Sequence, residues 1–326
     1  MQRGKKMKQM QEAEVMKEES EEKTETQMQK SETEIRKPSQ SLLQKFYRFD
    51  IYLTMIVVLT ILAAINVQTF GIDKTVPQLA IAVIVATAVE ALWDFYKKRQ
   101  WQYSKSAIIT GLFIGSLLDP GQIWYIPAIA SVIAILSKTF LRAKMRHFFN
   151  PTMFSLFVLS LIPVSFLSTS VSIGWWSSVN LYATIILGLF IAIKFKRLDL
   201  AISFLLTFIL INIFTLVWTT CQQGPELCFL QQLPITLYNA SFSSFLFPFL
   251  ITPLSFFTFF MLVEPKTSPF SRRGRLIYGI IVAILYYAIG FVLPQLVTSL
   301  GVGLDQIAVT LLIGNVIAWI MNWKLV

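Results

Sequence analysis

Lys97-Lys98-Arg99-Gln100-Trp101-Gln102-Tyr103-Ser104-Lys105 lies where one apolar run, residues 76–96, gives way to another, residues 104–118. Moving outward from this basic link, the chain repeats the pattern. Further basic links stand at Lys138–His147, Lys194–Arg197, Lys266–Arg275 and Lys324. They alternate with links nearly free of Lys and Arg, at about 71–75, 119–124, 168–174, 219–236 and 295–305. After position 48, sixteen of seventeen Lys and Arg residues fall on the basic set, and only Lys74 falls on the other. Cytoplasmic loops of membrane proteins retain Lys and Arg. The alternation therefore predicts ten crossings with both termini in the cytoplasm.

Composition agrees with that topology. Hydrophobic residues make up 55% of the chain and mean hydropathy is +0.63, although residues 1–46 are almost wholly polar. The expected fold class is all-α and polytopic, with spans near 50–70, 76–96, 104–118, 123–141, 151–167, 175–193, 198–218, 240–262, 276–293 and 306–322. Most reach the roughly 20 residues that a helix needs to cross hydrocarbon. Two domains follow: a polar cytoplasmic tail, 1–46, whose composition favours disorder, and a transmembrane domain, 47–326. No apolar run precedes residue 49, so insertion is expected to begin with the first span. The net charge of +10 is mostly loop bias, and nucleic acid is not an expected partner. The bilayer is. Cys221 and Cys228 share one weakly charged link and are either a loop disulfide or two thiols. With one His and two Cys, a self-contained metal site is not expected.

Ten spans divide into five plus five, and an odd number per half makes the second half inverted relative to the first. Span three closes on Asp119-Pro120 and span eight on Glu264-Pro265, at matching positions and opposite faces. Inverted repeats place ligands near the midplane between halves, at short or broken helices. Span three, ending at Asp119-Pro120, and span five, starting at Asn150-Pro151, have that form.

Two segments carry a family resemblance. The first runs Ser106-Ala107-Ile108-Ile109-Thr110-Gly111-Leu112, then Asp119-Pro120, Lys138, Phe140 and Phe149-Asn150-Pro151. The second runs Phe260-Met261, Glu264-Pro265, Thr267-Ser268-Pro269, Arg273-Gly274 and Tyr278-Gly279. Together, with Glu90-Ala91-Leu92, they resemble the NqrB/RnfD family, the type of membrane subunit shared by Rnf-type ferredoxin:NAD oxidoreductases and sodium-pumping NADH:quinone reductases. The resemblance implies a membrane subunit in flavin-linked electron transport, coupled to ion movement and assembled with other redox-complex membrane subunits. Members of that family attach FMN covalently to the Thr of a Ser-Gly-Ala-Thr motif. This chain has no such motif, and the link from Ser168 to Gly174 has no room for the loop that carries it. Trp175 follows Ser172-Ile173-Gly174, a remnant of a family turn, where the family has Glu. Covalent FMN is therefore not expected, which leaves non-covalent FMN or riboflavin.

Candidate flavin contacts are the small polar residues of the two segments: Ser106, Thr110, Asn150, Thr267 and Ser268. Small polar residues also let membrane helices pack closely, so both roles stay open. Candidate members of an ion path are Glu90, Asp94, Asp119 and Glu264. Carboxylates inside a bundle are costly unless paired and often mark cation or proton routes. The plainer alternatives are pairing of Glu90 and Asp94 with Lys97, Lys98 or Arg99, and simple polar caps at Asp119 and Glu264. His147 reads as an interface residue, and the tryptophans, Trp175 included, as an interfacial belt. No catalytic residue is expected, because the family's chemistry belongs to its cofactors; at most the chain is a flavin-carrying subunit. The alternative function is a channel or secondary transporter for a small solute or cation, since an inverted five-plus-five bundle also serves that purpose.

Overall fold

Among the described residues a helix stands in each expected span, and residues 240–252 of the eighth lie outside them. The structure, a computed structural model, describes residues 50–99, 101, 103–143, 146–162, 171, 173–175, 180–223, 253–300 and 303–323. The tail and Cys228 lie outside the described residues, so the disulfide candidate is not placed. The helices are α1 (Ile51–Phe70), α2 (Ile72–Lys98), α3 (Lys105–Leu117), α4 (Tyr125–Phe140), α5 (Pro151–Ser160), α6 (Leu181–Lys194), α7 (Leu198–Gln223), α8 (Leu254–Phe256), α9 (Arg272–Leu300) and α10 (Gln306–Trp323). A π-helix, Phe257–Leu262, continues α8, and a tight hairpin of β1 (Arg142–Ala143) and β2 (Arg146–His147) joins α4 to α5. Five helices, α1, α2, α7, α9 and α10, are long and apolar enough to cross a membrane, and α3 to α6 are shorter apolar helices. The chain is an all-α polytopic membrane protein.

Each half pairs its helices in the same way. In the first, α2 packs on α3 and α4, α4 on α5, and α1 on α3. In the second, α7 packs on α9 and on the π continuation of α8, α9 on α10, and α6 on α8 with its π continuation. Across the halves the equivalent helices α1 and α6 touch, as do α5 and α10. The halves run in opposite senses. Asp50 before α1 pairs with Lys105 at the start of α3, Lys138 near the end of α4 with Glu90 on α2, and Asp199 of α7 with Arg275 of α9. The Phe270 N–H donates to Asn322 Oδ1 near the end of α10, 3.1 Å. These contacts define one basic end of the bundle, where odd-numbered helices start and even-numbered ones finish. At the other end Asn180, before α6, donates its N–H to Asn66 Oδ1 of α1, 3.0 Å.

Two of the shorter helices, α3 and α5, bear on the site. At about 1.5 Å per residue, the 13 residues of α3 cover about 20 Å of a roughly 30 Å core. Its last carbonyls therefore need donors inside the bundle. Gln78 of α2 supplies them, its Nε2 donating to the carbonyls of Gly115 (2.9 Å) and Leu118 (3.1 Å). Helix α3 lies against α2 through Gly111 and Gly115. A Cβ on Gly111 would stand 2.5 Å from Val83 Cα, and one on Gly115 would stand 2.9 Å from Leu79 Cα. This is the small-xxx-small spacing by which membrane helices approach closely. The second short helix is α5, whose 10 residues start at the Asn150-Pro151 break.

The expected span 175–193 needs correction at its start. Its helix begins at Leu181, and residues 173–175 lie non-helical beside the end of α3. Ile173 bridges Leu118, and the Trp175 N–H donates to the Leu117 carbonyl, 3.0 Å. Trp175 is 3% exposed, so it is a core residue and not part of an interfacial belt. Its φ of 48° lies in the left-handed region, which is costly for a bulky side chain and is held only where surroundings demand it. The demand here is visible: its indole Nε1 donates to Asp305 Oδ2, 3.2 Å, ahead of α10, and its ring meets Phe256 edge-on. Trp175 thus ties both halves together at the end opposite the basic one.

Candidate functional site

A cavity of about 270 Å³ opens at the basic end, between the halves. Its apolar wall includes Tyr52 and Met55 of α1, Phe113 of α3, Phe195 after α6 and Phe260 of the π-helix. Its polar end combines Ser106 and Thr110 of α3, Lys138 of α4, His147 of β2, Asn150 before α5, and Glu264 and Lys266 after the π-helix. Local sequence explains how they get there. Asn150 caps α5, its Oδ1 accepting from the Met153 N–H at 3.2 Å, with Pro151 at the first helical position. The π turn, a form that recurs at functional sites, puts Phe260 into the wall and leads the chain to Glu264.

Asn150 and Glu264 join the halves. Asn150 Nδ2 donates to Glu264 Oε2, 2.8 Å. The Asn150 N–H donates to the Asn315 side-chain oxygen of α10, 2.8 Å, in the amide orientation that satisfies both groups. Thr267 Oγ1 lies 3.5 Å from the same Glu264 oxygen, and Ser268 Oγ donates to the Glu264 carbonyl, 2.7 Å. Burial pushes the Glu264 carboxyl above its ordinary range. Lys266, the Asn150 hydrogen bond, Lys138 and the Thr267 contact pull it back without cancelling the rise.

His147 is a cavity residue and not merely an interfacial one. Burial, together with the charges of Lys266, Lys138 and Arg142, pulls its ring down to about 3, so it is neutral near pH 7. Its Nε2 stands 3.5 Å from Lys266 Nζ. An ammonium only donates, so Nε2 is the acceptor and Nδ1 carries the proton. That buried Nδ1 makes no hydrogen bond of good geometry, although the Lys138 backbone lies near enough to favour the protonated ring slightly. A depressed histidine stabilises the fold above its unfolded value near 6.5 and loses that contribution as pH falls towards 3. Wild-type protein is therefore expected to lose about 2 kcal/mol more than His147→Gln between pH 7 and pH 4.5. The change in melting temperature of the two proteins across that range checks it; parallel curves would remove the neutral buried ring.

Of the five candidate flavin contacts, the structure brings Ser106, Thr110 and Asn150 to the cavity. Thr267 and Ser268 are buried and brace Glu264 instead. The four candidate ion-path carboxylates are not gathered. Glu90 pairs with Lys138 at 2.8 Å and not with Lys97, Lys98 or Arg99. Asp94 pairs with Lys98 at 3.0 Å. Asp119 is exposed at the far end of α3, and only Glu264 lines the cavity. Sequence reasoning missed Lys266, His147 and Tyr52 as site residues. The available signal was the position of Lys266 two residues beyond Glu264, inside the second family-like segment.

No curated protein matches the chain. Residues 44–177 match the model of the NQR2, RnfD, RnfE family. That stretch contains α1 to α5, and with them Ser106, Thr110, Lys138, His147 and Asn150 of the cavity. Over that stretch, the first five helices and their cavity residues, the chain is similar to the membrane subunits of that family.

Proposed function

We propose that the chain is a membrane subunit of an Rnf/Nqr-type electron transport complex and holds a flavin without a covalent bond. Its basic end then faces the cytoplasm, as Lys- and Arg-rich links do. One observation carries the proposal: residues from both family-like segments line a single cavity with an aromatic wall and a polar end. At about 270 Å³ it lies just below the range of about 300–1,000 Å³ usual for ligand pockets, so it suits a ring system with a tail directed outward. Tyr52, Phe113, Phe195 and Phe260 would flank the ring, and Ser106, Thr110 and Asn150 would meet its polar edge. A bound flavin supplies one- or two-electron transfer; these residues bind it, orient it and exclude water.

The test is absorbance and fluorescence of the purified protein before and after denaturation. Flavin released by denaturation is the expected result. Fluorescence that stays with the denatured chain would mean covalent attachment at a site other than the family motif. Absence of flavin, in protein from cells able to supply it, would overturn the proposal.

A second function, as a channel or secondary transporter, is favoured by a different observation. The repeated pairing encloses a cavity open at one end, while Trp175 and Asp305 join the halves at the other. Repeats that enclose a site in this way suit alternating access. Flavin-free protein that takes up a small solute into proteoliposomes would decide for transport.

A further inference from the structure

The cavity's charges do not balance in a way that flavin ring contacts explain. Lys138 is neutralised by Glu90 at 2.8 Å. Lys266 forms no ion pair among the described residues; its neighbours are the neutral His147 ring at 3.5 Å and the face of Tyr52, 5.4 Å to the centroid. The His147 Nδ1–H is a buried donor without a well-placed acceptor. Ser106 adds a half-buried hydroxyl at the same end. Donors thus outnumber acceptors around Lys266. The acceptor among them is the Glu264 carboxylate, whose Oε2 is already occupied by Asn150 and approached by Thr267. A half-buried ammonium at the cavity, with spare donors around it, suits an anion.

We infer that the cavity takes an amphipathic anion, a phosphate monoester on a flat apolar body, with its head on Lys266 and Ser106 and a proton accompanying it onto Glu264. The proton follows from the charges that face Glu264: Lys266 on its own loop, Lys138 of α4 with its partner Glu90 of α2, and neutral His147 of the hairpin, with Arg142 behind it. Leaving out Arg142, which does not line the cavity, Lys266, Lys138, Glu90 and an ionised Glu264 sum to zero, and an added anion would meet a carboxylate. With Glu264 protonated the cavity carries one net positive charge. Burial pushes that carboxyl upward, the direction that favours such uptake. The inference rests on the cavity being a ligand site, as proposed above, but not on the ligand being a flavin.

Binding of FMN and riboflavin to the full chain in phosphatidylcholine nanodiscs tests it, since the two differ only by the phosphate. FMN should bind about tenfold more tightly than riboflavin at pH 6, and Lys266→Gln should erase that preference. In wild type the preference should shrink as pH rises and Glu264 ionises; in Glu264→Gln it should persist. The phosphate's own second ionisation near pH 6 affects both proteins alike, so their difference reports Glu264. Equal binding of FMN and riboflavin, or a preference that survives Lys266→Gln, would overturn the inference. If neither flavin binds, the flavin proposal fails on its own, and phenyl phosphate against phenol decides the anion question by thermal shift. A Lys266-dependent shift from phenyl phosphate alone sustains the inference, and no shift overturns it. Phosphatidic acid in the disc separates the sources: a Lys266-dependent shift from that lipid and none from phenyl phosphate would replace the soluble ligand with a lipid headgroup.

Discussion

Gly111→Ala is expected to destabilise the protein by about 3 kcal/mol or more, against the usual direction for such a change. In an ordinary helix interior Ala is favoured over Gly by about 1 kcal/mol. At Gly111 the new Cβ would stand 2.5 Å from Val83 Cα, 2.8 Å from the Ala82 carbonyl oxygen and 2.9 Å from Val83 N. All three are backbone atoms, so no side-chain rotation relieves the overlap and α2 and α3 must separate. Overpacking costs typically about 1–3 kcal/mol even where side chains can adjust, and separation would also loosen the Gln78 hydrogen bonds to the end of α3. Gly290→Ala is the control, because its Cβ would meet only the far end of the Gln306 side chain, at 2.5 Å. Thermal denaturation followed by size-exclusion chromatography should show a large loss for Gly111→Ala and a small one for Gly290→Ala. Equal losses would mean that α2 and α3 do not lie as close as described.

Lys138→Met is expected to cost about 3–5 kcal/mol, because it leaves a carboxylate without its cation inside the bundle. The side chains of Lys138 and Glu90 are 4% and 17% exposed, and the pair is 2.8 Å long. The double change Lys138→Met with Glu90→Leu should recover most of the loss, since replacing both members of a buried pair with apolar groups is often neutral. Glu90→Gln alone should cost less, because Glu264 remains within electrostatic reach of Lys138. Melting temperatures of the three variants form the test. Failure of the double change to recover would show that the pair does more than satisfy its own charges.

The order of spans was legible because charge alternation and span length are properties of the linear chain. The start of α6 was not. Val171, Ile173 and Trp175 make that link apolar, and hydropathy does not distinguish a helix from a non-helical segment tucked beside α3. Ser106, Thr110, Asn150 and Glu264 were legible as site residues through the resembling segments. Lys266 was counted only towards topology, Lys138 entered only as part of a resembling segment and His147 as an interface residue, because neither a count of cations nor a motif carries information on burial. The partner of Glu90 was misplaced for a related reason. Local spacing offered Lys97, Lys98 and Arg99, but the contact is with α4, 48 residues away, and packing between helices is not written in spacing along one of them.

The duplicated arrangement of helix pairs separates two kinds of information in this chain. Helix packing works equally well for a half inserted in either sense, since the same contacts are built once upright and once upside down. Direction is therefore encoded elsewhere, in the few cations that sit after even-numbered helices in both halves. Seen from within one repeat unit, those cations follow its second and fourth helices in the first half and its first, third and fifth in the second.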